Sequence, residues 1–146
     1  MRDEGLPEKE NDKKYIVIII ALKYNNYIWR VVIWMCTEAQ LNRIMSSMVD
    51  CYRVVYGDDI VEIVLFGSYA RGDYTKDSDI DIVALVRGQR TELQEKLKLV
   101  WDVSAELGLE NDVVVSPTVI PYDEYVKYRE TLPYYHNISA EGKKIG

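Results

Sequence analysis

The sequence predicts an α+β domain, a small β-sheet with helices packed against it. Three observations support this. Hydrophobic periodicity gives the order helix, strand, strand, helix, strand, helix. The chain has 146 residues, enough for one domain with a real core and too few for two. Its composition is globular, 48% hydrophobic and 29% charged, with no low-complexity tract or internal repeat.

The elements follow in order. Thr37-Glu38-Ala39-Gln40 fits a capping box, with Gln40 reaching back to the cap. Leu41, Ile44, Met45, Met48, Val49, Tyr52 and Val55 then trace the apolar stripe of a helix, which Gly57 can end as a left-handed cap. Residues 60–66 and 80–86 read as buried strands. Thr91 with Gln94 suggests a second capping box, and Leu93, Leu97, Val100, Trp101 and Leu107 a second amphipathic helix ended by Gly108. Residues 112–115 read as a short third strand, stopped by Pro117. Pro121 starts a helical stretch over 122–129, and Pro133 another.

Residues 1–34 stand apart. The first fourteen mix both charge signs and read as disordered. The run YIVIIIAL that follows is too short to span a bilayer, and its acidic lead is wrong for a secretory leader. Extending it to Cys36 brings in Lys23, Asn25, Asn26 and Arg30, so a hairpin around Asn25-Asn26 is expected instead. Residues 1–34 are thus either an extension for a partner or an over-long translation start, and 35–146 form the domain. The expected location is cytoplasmic, without membrane contact.

The net charge of −6 argues against a protein that coats nucleic acid, since that needs many Lys and Arg contacts to phosphates. It leaves open the binding of one nucleotide through a metal. Cys36 and Cys51 form no CxxC and read as two buried apolar thiols. The single histidine, His136, excludes a His-rich metal site.

Chemistry concentrates in VLFGSYARGDYTKDSDIDIVAL, residues 64–85. Aspartate is a poor strand former, yet Asp79 and Asp81 open a strand. Alternation projects both from one face. Two carboxylates that close repel each other unless a cation sits between them, and magnesium takes such oxygens together with substrate phosphates. If the third strand lies beside the second, Asp112 completes a three-Asp cluster able to hold two metals. Gly67 lets the backbone turn sharply, and the turn's amides with the Ser68 hydroxyl can hold terminal phosphates. The ten residues from Tyr69 to Ser78 return the chain so that phosphate holder and metal holder face each other. Each feature alone is weak: most Gly-Ser pairs are only turns, and Arg71 reads equally as a surface charge. Their order and spacing together are specific.

The stretch GSYARGDYTKDSDID resembles the signature of the nucleotidyltransferase superfamily that shares its fold with DNA polymerase beta. The length and the ending LPYYHNISAEGKKI are similar to its minimal, MntA-like members. The resemblance implies a small mixed sheet with helices, phosphate contacts for Gly67 and Ser68, and magnesium at Asp79 and Asp81. It implies the third carboxylate at Asp112, and nucleotide or substrate contact at Arg71. It further implies ATP as substrate, two magnesium ions, and a HEPN-domain toxin as partner, for which this chain is the antitoxin. The expected reaction moves AMP from ATP to a hydroxyl of that partner. The alternatives are transfer to a small hydroxylated molecule such as an aminoglycoside, and an antitoxin that acts by binding alone.

Overall fold

The first helix starts where its local chemistry dictates. In the computed structural model, which describes residues 36–146, Thr37 caps α1 (Glu38–Tyr56). The Gln40 amide donates to Thr37 Oγ1 at 3.2 Å, and the Thr37 amide to Gln40 Oε1 at 2.9 Å, a complete capping box. Gly57 ends α1 at φ 58° and ψ −134°, not in the left-handed helical conformation expected, and one 3₁₀ turn leads into β1 (Ile60–Phe66). A short helix, α2 (Ser68–Arg71), follows, then β2 (Ile80–Val86), α3 (Arg90–Asn111) and β3 (Val115–Pro121). The chain continues through α4 (Tyr122–Tyr128) and α5 (Pro133–Glu141) to β4 (Lys143–Lys144).

The sheet is mixed, in the order β3-β2-β1-β4. β1 pairs antiparallel with β2 and β4, while β3 runs parallel to β2 after the α3 crossover. This is the α+β architecture that the element order predicts. Central β2 is covered on both faces. Ile80, Ile82, Ala84 and Val86 pack with the stripes of α1 and α3. Val83 and Leu85 point the other way, into a second cluster with Tyr125 of α4 and Tyr135 and Ile138 of α5.

Four further details depart from the sequence reading. Thr91 does not cap α3: the helix begins at Arg90 behind Gln89, and Gln94 instead donates to the Val119 carbonyl at 3.3 Å. Gly108 does not end α3. It is buried within it, where a Cβ would come 2.6 Å from the Val113 carbonyl oxygen, so glycine lets the returning chain pack against the helix. The left-handed cap is Asp112, at φ 53°, a conformation that aspartate tolerates better than most residues. The third strand therefore starts at Val115, and Asp112 does not open it. Nor does Pro117 stop it. β3 is an edge strand, where proline is tolerated, and buried Tyr52 of α1 serves the backbone beside it. The Tyr52 hydroxyl accepts from the Thr118 amide at 3.0 Å and donates to the Thr118 carbonyl at 2.9 Å.

Cys36 is buried and Cys51 half-buried; burial pushes both thiols up. No helix of the described residues is long and apolar enough to cross a membrane. The extension assigned to residues 1–34 and its hairpin lie outside the described residues.

Candidate active site

The antiparallel pairing of β1 and β2 determines where the motif meets. Phe66, the last residue of β1, sits opposite Asp81, so the Gly67 turn leaves the sheet directly beside that carboxylate. The approach is close: a Cβ on Gly67 would lie 2.6 Å from Asp81 Oδ2. Gly67 also holds φ 71°, a region that residues with side chains rarely adopt. Only glycine satisfies both demands. Ser68 opens α2, where the Ala70 and Arg71 amides bond back to the Gly67 carbonyl at 3.1 Å.

The loop from α2 to β2 is held by its own side chains. Tyr69 is buried and stacks on Tyr74, with ring centroids 4.2 Å apart. Gly72 turns at φ 84°, and Ser78 Oγ accepts from the Thr75 amide at 2.8 Å. These contacts bring residues 77–81 back to the end of β1.

Asp79 and Asp81 are close enough to affect each other. The Asp81 carboxyl is raised above its ordinary range, first by burial and then by the Asp79 charge, with Arg71 opposing. A desolvated carboxylate beside a second one is a donor set suited to a cation. Its oxygens fit magnesium, which commonly takes one or two carboxylates and completes its shell with phosphate oxygens and water. The third carboxylate is placed differently from the expectation. Asp112 is exposed at the end of α3 and lines a groove of about 690 Å³ together with Asp79. Among the described residues, no three His, Cys, Asp or Glu side chains are grouped to hold a metal ion. The strand register explains this: Ser116 is opposite Asp81, four residues past Asp112.

Arg71 pairs with Glu141 of α5 at 3.1 Å and with Asp73 at 3.3 Å. It therefore ties α2 to the end of α5, and its charge acts on Asp81. Sequence reasoning missed Tyr134. It packs edge-on against Phe66, centroids 5.7 Å apart, and although 46% exposed its phenol is pushed up first by partial burial, with a Thr118 hydrogen bond opposing and the Asp81 charge adding. No local pattern announces it, because 52 residues of chain lie between it and Asp81.

The family model described as nucleotidyltransferase domain matches residues 40–141. "Putative protein adenylyltransferase MJ0604" of Methanocaldococcus jannaschii is 32% identical over 101 residues, covering 69% of this chain and 93% of the relative. "Putative protein adenylyltransferase MJ0141" of the same organism is 40% identical over 62 residues, covering 42% of this chain and only 61% of the relative. A crystal structure of the toxin–antitoxin pair MntA–HpeT, in a variant form, is 17% identical over 68% of this chain and 70% of that one. Its TM-score of 0.43 is too low to add weight. The family match spans the Gly67 turn, the Asp79 and Asp81 pair and the elements that join them, and on that ground the chain belongs to the nucleotidyltransferase domain family.

Proposed function

We propose that this chain transfers AMP from ATP to a hydroxyl group of a partner protein, and that the partner is a HEPN-type toxin for which it is the antitoxin. One observation carries the reading: the Gly67 turn and the Asp81 carboxylate pack so closely that a side chain on Gly67 would collide with it. A sharp backbone turn for phosphates and a carboxylate pair for a cation then bracket one point. The relative covered over 93% of its length bears the name of a protein adenylyltransferase, which supports adenylyl transfer in particular.

In this reading Gly67 and Ser68 receive the terminal phosphates, Asp79 and Asp81 hold magnesium, and Arg71 faces the nucleotide. Bound magnesium supplies neutralisation of the phosphate charge. The acceptor hydroxyl oxygen bonds to the α-phosphorus, the bond from that phosphorus to the bridging oxygen breaks, and pyrophosphate leaves. The hydroxyl proton passes to a base, for which Asp112 is assigned. Positioning and charge complementarity account for most of the rate. The net charge of −6 suits a basic partner such as a ribonuclease.

The test is incubation with a candidate HEPN protein, ATP and magnesium, followed by intact-mass spectrometry of the partner. A gain of one or more AMP residues is expected, with none when Asp112→Ala replaces the wild type although the complex still assembles. Neutralised toxicity without any mass change would replace transfer by binding alone.

A further inference from the structure

The groove beside Asp79 has a composition that nucleotide binding does not require. Its floor is acidic, with Asp77, Asp79 and Asp112 against the single ammonium of Lys76. Its wall is apolar and open to solvent: Trp101 is 46% exposed, Leu109 86% and Val114 57%. Trp101 belongs to the apolar stripe read from the sequence, yet it is half-exposed, because the buried face of α3 runs through Leu93, Leu97, Val100, Ser104 and Gly108 and leaves Trp101 beside it. A solvent-facing indole, leucine and valine gathered round one concavity are apolar surface that typically marks an interaction site.

The order of the sheet says what the groove faces. At the start of β2 the phosphate turn lies on the β1 flank, through Phe66 and Gly67. The groove lies on the opposite, β3 flank, where the Ile80 amide donates to the Val114 carbonyl. The Asp pair stands between the two. Phosphoryl transfer places the attacking and leaving oxygens in line on opposite sides of the phosphorus. With pyrophosphate leaving toward Gly67 and Ser68, the attacking hydroxyl arrives from the β3 flank.

We infer that this groove seats the acceptor, and that the acceptor is a protein segment carrying its hydroxyl between an apolar anchor and basic residues. The inference rests on the transfer reading above and adds where the acceptor sits and what flanks it. The anchor packs on Trp101 and Leu109. The basic residues answer the acidic floor. A small polyhydroxylated cation such as an aminoglycoside has the charge but no use for the apolar wall, so the composition favours protein.

The experiment titrates the full chain with two synthetic peptides, Lys-Lys-Leu-Tyr-Leu-Lys-Lys and Glu-Glu-Leu-Tyr-Leu-Glu-Glu, by calorimetry. Magnesium with ATP is titrated separately. The basic peptide is expected to bind the wild type and the acidic one not. Trp101→Ala and Leu109→Ala should each weaken the basic peptide about tenfold, the scale of a truncated interface anchor, while leaving ATP affinity unchanged. Leu109→Ala guards against loss of fold in the tryptophan variant, because its side chain is almost wholly exposed. Equal peptide affinity in the wild type and both variants overturns the groove. So does failure of the basic peptide to bind while kanamycin does. A wild type that binds the basic peptide with this variant pattern but not ATP keeps the groove and loses the transfer reading.

Discussion

At the scale of single residues, Gly67 and Asp81 constrain each other. Gly67→Ala puts a methyl 2.6 Å from Asp81 Oδ2 at a backbone angle of 71°. It is expected to cost about 1–3 kcal/mol of stability and at least about tenfold in affinity for ATP with magnesium, read by thermal melts and calorimetry. Asp79→Asn with Asp81→Asn acts oppositely on the two readouts. It should abolish magnesium-dependent ATP binding without lowering the melting temperature, since it removes two like charges, one of them desolvated. Unchanged ATP affinity in a folded double variant would remove the pair from the site. These residues were legible in the sequence because their chemistry is local: Gly-Ser, a fixed loop length and Asp-x-Asp all lie within residues 67–81.

At the scale of elements, an ion pair joins the starts of α3 and α4 to α5. Arg90 grips Glu124 with Nε at 3.0 Å and Nη2 at 2.5 Å, and the Tyr135 hydroxyl donates to the same carboxylate. Hydrogen bonds from Arg90 first and Tyr135 second hold the Glu124 carboxyl below its ordinary range. A lowered carboxyl stabilises the fold above the ordinary glutamate pKa and loses that contribution as pH falls through the lowered value. Glu124→Gln should therefore lower the melting temperature at pH 7 by the equivalent of about 0.5–1 kcal/mol, a small effect because the pair is partly solvated. The difference should shrink as the pH is taken from 7 to a strongly acidic value below the lowered carboxyl range, where the native carboxyl takes up its proton. Equal destabilisation at both pH values would mean that shape rather than charge holds the helices. No sequence pattern predicts this junction, because its three residues come from three separate helices.

At the scale of the whole molecule, the capped α1 and every assigned site residue lie after Met35, and the family match begins at residue 40. A chain beginning at Met35 is expected to fold, by circular dichroism, and to bind ATP with magnesium as the full chain does. An insoluble or molten product would assign part of residues 1–34 to the core. The sequence by itself determined the order of the longer helices and strands, the α1 cap, the apolar stripes and the local pattern of Gly-Ser turn, loop and Asp-x-Asp, because periodicity, capping and turn chemistry act over a few residues; it announced neither α2 nor β4. It misplaced Asp112, since a helix end and a strand start compete for the same polar residue. The outcome depends on how α3 packs: Gly108 is buried against the returning chain, so the helix runs on to Asn111 and Asp112 becomes its cap. The packing of Tyr134 on Phe66 (the strand partner of Asp81), the Tyr52 hydroxyl on the β3 backbone and the groove flanking Asp79 were decided only by the tertiary structure. Each joins residues tens of positions apart, and only the packing of helices on the two faces of the sheet brings them together.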